Sequence, residues 1–152
     1  MIPEMQRDLS LSLHVLTARL DRGADRILQR EQAISYSRFL FLFMVSRGGA
    51  NTQRAVADRL GVTEPSVSRM KTTLVNEGLL RAGTARAGGN RHLLSLTARG
   101  EAMVRRSALL LESKLVALVQ ASGVPYAQYA RHTKLLLEAL DVGEGRTRER
   151  AS

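Results

Sequence analysis

The stretch Gln53-Arg54-Ala55-Val56-Ala57-Asp58-Arg59-Leu60-Gly61-Val62-Thr63-Glu64-Pro65-Ser66-Val67-Ser68-Arg69-Met70-Lys71-Thr72 decides the reading of the chain. Its apolar residues recur at helical spacing on both sides of one glycine. Thr52 is placed to cap a short helix ending at Leu60, and Gly61 takes the positive φ that stops it. Thr63 caps a second helix, whose first turn tolerates Pro65 because no N–H is needed there. That helix runs to Glu77 and Gly78 stops it. Val67, Met70 and Leu74 form its inward face. Val56, Leu60, Val62, Val67 and Met70 are the expected shared core. Ala57 is small where the second helix must approach the first. Two helices packed around so tight a turn meet the physical requirement of a helix-turn-helix.

The second helix turns another face outward. Stepping about 100° per residue from the inward face places Pro65, Arg69, Thr72, Thr73 and Asn76 opposite, with Ser66 and Ser68 flanking. Hydroxyls and arginine with few acids suit the major groove of duplex DNA. A helical hairpin with a merely solvated polar face has the same local pattern, so the flanking sequence decides. Leu79 to Gly83 and His92 to Leu96 read as short strands. Between them, Thr84 to Arg91 holds Gly88-Gly89 and two arginines, which makes a hairpin with a basic tip. A helix-turn-helix followed by a two-stranded wing is a winged helix, and a wing cation suits the minor groove.

Outward from this centre the chain is helical. Tyr36 to Arg47 is apolar nearly all round and carries all three Phe, as a central buried helix does; Gly48-Gly49 ends it. Residues 9 to 31 read as a long helix with Asp8 as N-cap. Leu9, Leu13, Leu16, Leu20, Ala24 and Ile27 form its apolar stripe. Thr97 caps another long helix, about 98 to 121, with Val104, Ala108, Leu111, Leu115 and Leu118 on one face. Pro125 opens a last helix faced by Leu136, Leu137 and Leu140. The polar, Gly-containing residues 142–152 read as a flexible tail. The expected fold is mainly α with a small β-hairpin wing. Residues 35–103 form the winged helix-turn-helix, and 1–34 with 104–141 form helical dimerisation arms.

Composition agrees. The 152 residues carry a formal charge of +9, with 20 Arg and three Lys among the cations. Arg47 to Arg106 alone holds eleven cations against four acids. A basic centre between more balanced arms points to nucleic acid as partner. Cysteine is absent, which excludes disulfides, thiolate metal sites and thiol redox sensing. His14, His92 and His132 lie in separate elements, so no metal site is expected. Ser66, Ser68 and Ser95 have no base placed by a recognisable motif, and no Gly-rich phosphate loop is present, so neither catalysis nor a cofactor is expected. No apolar run approaches the ~20 residues of a membrane span, and the N-terminus lacks a signal-peptide pattern. A cytoplasmic protein is expected.

The order of elements resembles the MarR family of bacterial transcription regulators. The resemblance covers roughly residues 8 to 141. It rests on Leu60-Gly61-Val62-Thr63, Pro65-Ser66-Val67-Ser68-Arg69, Asn76-Glu77-Gly78-Leu79-Leu80 and Leu96-Thr97-Ala98-Arg99-Gly100. It implies a homodimer with intertwined terminal helices, a repressor or activator role, and release by small aromatic or phenolic compounds. It also implies an effector pocket between the first helix, the central helix and the winged helix, where His14, Tyr36 and Arg38 would be polar handles. Two positions depart from the family pattern. Where the family's wing carries Asp and, two residues on, Arg, this chain has Gly88 and Asn90. Lys71 stands where an apolar residue is usual.

The resulting expectation is a homodimeric, sequence-specific regulator, a ligand-responsive repressor, on a pseudo-palindromic site in double-stranded DNA. Pro65, Ser66, Ser68, Arg69, Thr72 and Thr73 form its recognition surface. Arg86, Asn90 and Arg91 serve the wing, and Arg54, Lys71 and Arg99 contact phosphates. The alternative is a winged-helix protein-interaction module without specific DNA binding. A salt-dependent but sequence-independent DNA affinity would favour it.

Overall fold

The computed structural model describes residues 8–84 and 92–150. In order these form α1 (Leu9–Gln32), α2 (Tyr36–Ser46), α3 (Gln53–Leu60), α4 (Glu64–Asn76), β1 (Leu80–Thr84), β2 (His92–Leu96), α5 (Ala98–Ser122) and α6 (Tyr126–Arg150). The chain divides into two compact units, residues 1–111 and 112–152, with α5 contributing to both. The first has the expected architecture, mainly α with one antiparallel hairpin.

The core of the first unit centres on α2. Phe41 and Leu42 are wholly buried, and Phe39 and Val45 nearly so. The Ser35 hydroxyl caps this helix by accepting from the Arg38 N–H, and Gly48 leaves it with φ of +70°. The C-terminal half of α1 packs here, but Leu28 is its fully buried residue, where the periodicity favoured Ile27. The first turns of α1 are exposed at Leu9, Leu13 and Leu16. Asp8 stands at the N-cap without a side-chain cap bond; only its carbonyl is used, by Ser12 N–H at 2.8 Å.

Thr52 and Thr63 cap α3 and α4 through their hydroxyls, as expected, and Gly61 turns between them with φ of +65°. Val56, Ala57, Val67 and Leu74 form the buried seam of the pair, and Met70 packs at its edge. Val62 corrects the expected core, being 42% exposed. Its N–H bonds back to Ala57 O at 3.1 Å. That closure ends α3 and leaves Val62 in the turn, beyond the reach of the seam.

The hairpin pairs Leu80 with Leu96 and Ala82 with Leu94. Its first strand starts one residue later than the periodicity suggests, because Leu79 N–H is spent closing α4 onto Leu74 O. Leu94 N–H bonds to Asn51 O at 2.7 Å, which fastens the loop before α3 to the wing base. Thr97 joins the hairpin to α5. Its hydroxyl donates to Gly78 O at 2.7 Å and accepts from Gly100 N–H at 3.0 Å. Gly100 lies so close to Leu79 that a Cβ would fall 2.0 Å from the Leu79 carbonyl oxygen.

On α5 the expected stripe holds at Val104, Ala108 and Leu111, with Ser107 wholly buried beside them and its hydroxyl 3.7 Å from Met103 Sδ. In the second unit the phase departs from it: Val119 is buried and Leu118 exposed. The Tyr126 hydroxyl donates to the Glu112 carboxylate, joining the start of α6 to α5. Within the expected tail over 142–152, residues 142–150 continue α6 as helix to Arg150. Gly143 and Gly145 each cost helix about 1 kcal/mol relative to alanine. Glu144, Arg146, Arg148, Glu149 and Arg150 are good helix formers that add little further cost. Among the described residues no single helix is long and apolar enough to cross a membrane.

Candidate nucleic-acid interface

The buried seam fixes which side of α4 faces outward. With Val67 and Leu74 held inward, Pro65, Ser66, Arg69, Thr72 and Asn76 are exposed, and Ser68 and Thr73 half-buried at the margins. Arg69 has no ion pair or hydrogen bond to its side chain among the described residues, so its five N–H donors are free. The Ser66 N–H is capped by Thr63 Oγ1 at 3.4 Å, and the Thr63 hydroxyl meets Ser66 Oγ at 3.2 Å. Thr72 and Thr73 donate their hydroxyl protons back to the carbonyls of Ser68 and Arg69, at 3.1 and 3.2 Å. The face is thus one unpaired cation among short hydroxyl side chains, with Glu64 as the acid of the first turn.

Two long-range contacts hold α4 in place, and a third holds α2, on which one of them depends. Lys71 Nζ donates to Gln53 Oε1, tying α4 to the first turn of α3. Arg38 pairs with Glu77 at 3.2 Å, joining α2 to the C-terminal end of α4. Asp25 on α1 accepts the Tyr36 N–H at 2.9 Å and so satisfies a donor at the start of α2. Sequence reading placed Lys71 at a phosphate and Arg38 in a pocket, and missed Gln53, Glu77 and Asp25. These partners stand 18, 39 and 11 positions apart, beyond any local motif.

Arg54 and Arg99 are exposed, in the first turns of α3 and α5, with no ion pair among the described residues. Arg86, Asn90 and Arg91 lie outside the described residues, as does the wing tip. The three effector-pocket candidates are not brought together. His14 is exposed and borders a shallow groove with Leu9, Ser10, Leu13 and Thr17, all of α1. Tyr36 is half-buried, its ring stacked on Phe39 at 6.2 Å. Burial, and then the negative charge of Asp21, raise the pKa of its phenol. No cluster of three metal-ligating side chains occurs among the described residues.

A model of the IclR helix-turn-helix domain matches residues 39–84, which run from α2 through β1. No curated protein matches the chain in sequence. Solved structures do match. A mutant MarR from E. coli complexed with operator DNA is 20% identical, with a TM-score of 0.70 over 88% of this chain and 94% of its own. Staphylococcus aureus MarR in complex with salicylate and kanamycin is 14% identical, with a TM-score of 0.76 over 92% and 93%. MepR, a transcription regulator of the Staphylococcus aureus multidrug efflux pump MepA, is 19% identical, with a TM-score of 0.64 over 88% and 96%. The chain has the winged helix-turn-helix fold of the MarR-type regulators.

Proposed function

We propose that the chain is a sequence-specific DNA-binding transcription regulator, a binding protein and not an enzyme, working in the cytoplasm. The observation that carries this reading is the outward face of α4, where Arg69, unpaired among the described residues, stands among hydroxyls on a helix tied to α3 and α2. Pro65, Ser66, Ser68, Arg69, Thr72 and Thr73 face the major groove. Arg54 and Arg99 contact phosphates from helix first turns, where the dipole also favours an anion. Lys71 reaches phosphate with Gln53 as its resting partner. Arg86, Asn90 and Arg91 serve the wing.

The working form is a homodimer, supported by apolar residues left exposed on α1 and again on α6. Two copies suit a pseudo-palindromic operator with half-sites about 10 bp apart. Repression is relieved by a small aromatic or phenolic effector; the salicylate complex of a protein with the same fold supports this part. Selection of bound sites from random duplex DNA tests the reading. A recovered inverted repeat, bound at least a hundredfold more tightly than scrambled DNA at fixed salt, is the expected result. Affinity that varies with salt but not with sequence would instead favour the interaction module.

A further inference from the structure

The outward face of α4 has a polarity that its residue types do not disclose. A threonine hydroxyl can donate or accept. In α4 the Thr72 hydroxyl proton goes to Ser68 O at 3.1 Å. With its proton so spent, Thr72 Oγ1 has only lone pairs left to offer, on an exposed residue that also carries a methyl group. Thr73 makes the equivalent bond to Arg69 O but is half-buried at the margin. Arg69, one turn before Thr72, is the opposite: exposed, unpaired among the described residues, and a donor only.

Base edges in the major groove discriminate between these two groups. Guanine N7 and O6 offer the paired acceptors that a free guanidinium matches. An outward acceptor needs an exocyclic amine, on adenine or cytosine. The adjoining methyl decides between them, since an A·T pair sets the thymine methyl near the adenine amine and a C·G pair has none. Three residues advance a helix by about 4.5 Å, between one and two base-pair steps of about 3.4 Å. We propose, on the reading of α4 as the DNA-recognition helix, that each half-site holds a guanine read by Arg69. One or two base pairs along lies an A·T pair read by Thr72. Thr72 is then a specificity-determining residue.

The test is selection from a randomised duplex pool with the full-length wild type and the variants Thr72→Val, Thr72→Ser and Arg69→Ala, each checked for unchanged helical content by circular dichroism. Valine keeps the shape and a methyl but has no acceptor. Thr72→Val should cut the preference for A·T over G·C at the neighbouring position about fivefold and leave the guanine in place. Thr72→Ser keeps the acceptor without the methyl, so adenine and cytosine should become nearly equivalent there. Arg69→Ala should lose the guanine. A wild-type motif without that A·T pair, or a Thr72→Val motif identical to the wild type's, overturns the assignment to Thr72. A wild type that enriches no motif at all overturns the recognition-helix reading itself.

Discussion

Gly100 and Gly23 both sit in helices, and a methyl group at each has opposite consequences. At Gly100 the new Cβ would lie 2.0 Å from the backbone oxygen of Leu79, which is pinned by the Thr97 N–H. Gly100→Ala should destabilise by about 1–3 kcal/mol or more, read as a lower denaturant midpoint. At Gly23 nothing lies within 4 Å of the new group and the backbone is ordinary helix. Gly23→Ala should therefore stabilise by about 0.5–1 kcal/mol. An unchanged or raised midpoint for Gly100→Ala would contradict the packing at Gly100, and a lowered one for Gly23→Ala the open space at Gly23. Arg69 has no ion pair or side-chain hydrogen bond among the described residues, so Arg69→Ala should leave the midpoint unchanged. It should weaken operator binding by about 1–3 kcal/mol at fixed salt. Equal weakening on random DNA would make Arg69 a phosphate contact instead.

At the scale of elements, α2 is the piece against which α1, α3 and β2 pack. Its start is held by two caps of different origin, Ser35 from its own chain neighbourhood and Asp25 from α1. Its far reach to α4 is the Arg38–Glu77 pair, about a third exposed or more on each side, so its contribution to stability is about 0–1 kcal/mol at most. That contact sets the seating of α4 more than the stability of the fold. Tyr36 gives α2 a measurable pH signature. Burial first, and Asp21 second, raise its folded pKa above the ordinary 10.0. Below pH 10 this has no effect on stability. As pH rises past 10 the unfolded chain loses the phenol proton first, so stability falls. Tyr36→Phe should flatten that alkaline decline relative to wild type in denaturation measured from pH 8 to 11. Superimposable alkaline limbs would show that Tyr36 titrates as an exposed tyrosine.

For the whole molecule, the exposed apolar residues of α1 and α6 have only a limited role in a lone chain. Leu137 is 58% exposed, so Leu137→Glu should change monomer stability by less than about 0.5 kcal/mol. It should nonetheless weaken self-association in sedimentation if α6 lies in the dimer. An unaltered dimer would place the interface elsewhere. What could be read without coordinates was local. Thr52, Thr63 and Thr97 as caps, Gly61 as the turn, and Val67 with Leu74 as the inward face of α4 follow from spacings of a few residues. Cap and turn chemistry acts over that same range, and the outward face of α4 follows once its inward face is known. The rest depended on packing between distant segments. Val119 in place of Leu118, and Leu28 in place of Ile27, are shifts of one position in helix phase, which neighbouring elements decide. The anchoring of α4 by Gln53 and Arg38, and of α2 by Asp25, joins residues 11 to 39 positions apart. Only the tertiary structure brings such side chains within hydrogen-bond reach, because a pattern along the chain holds no distance across the fold.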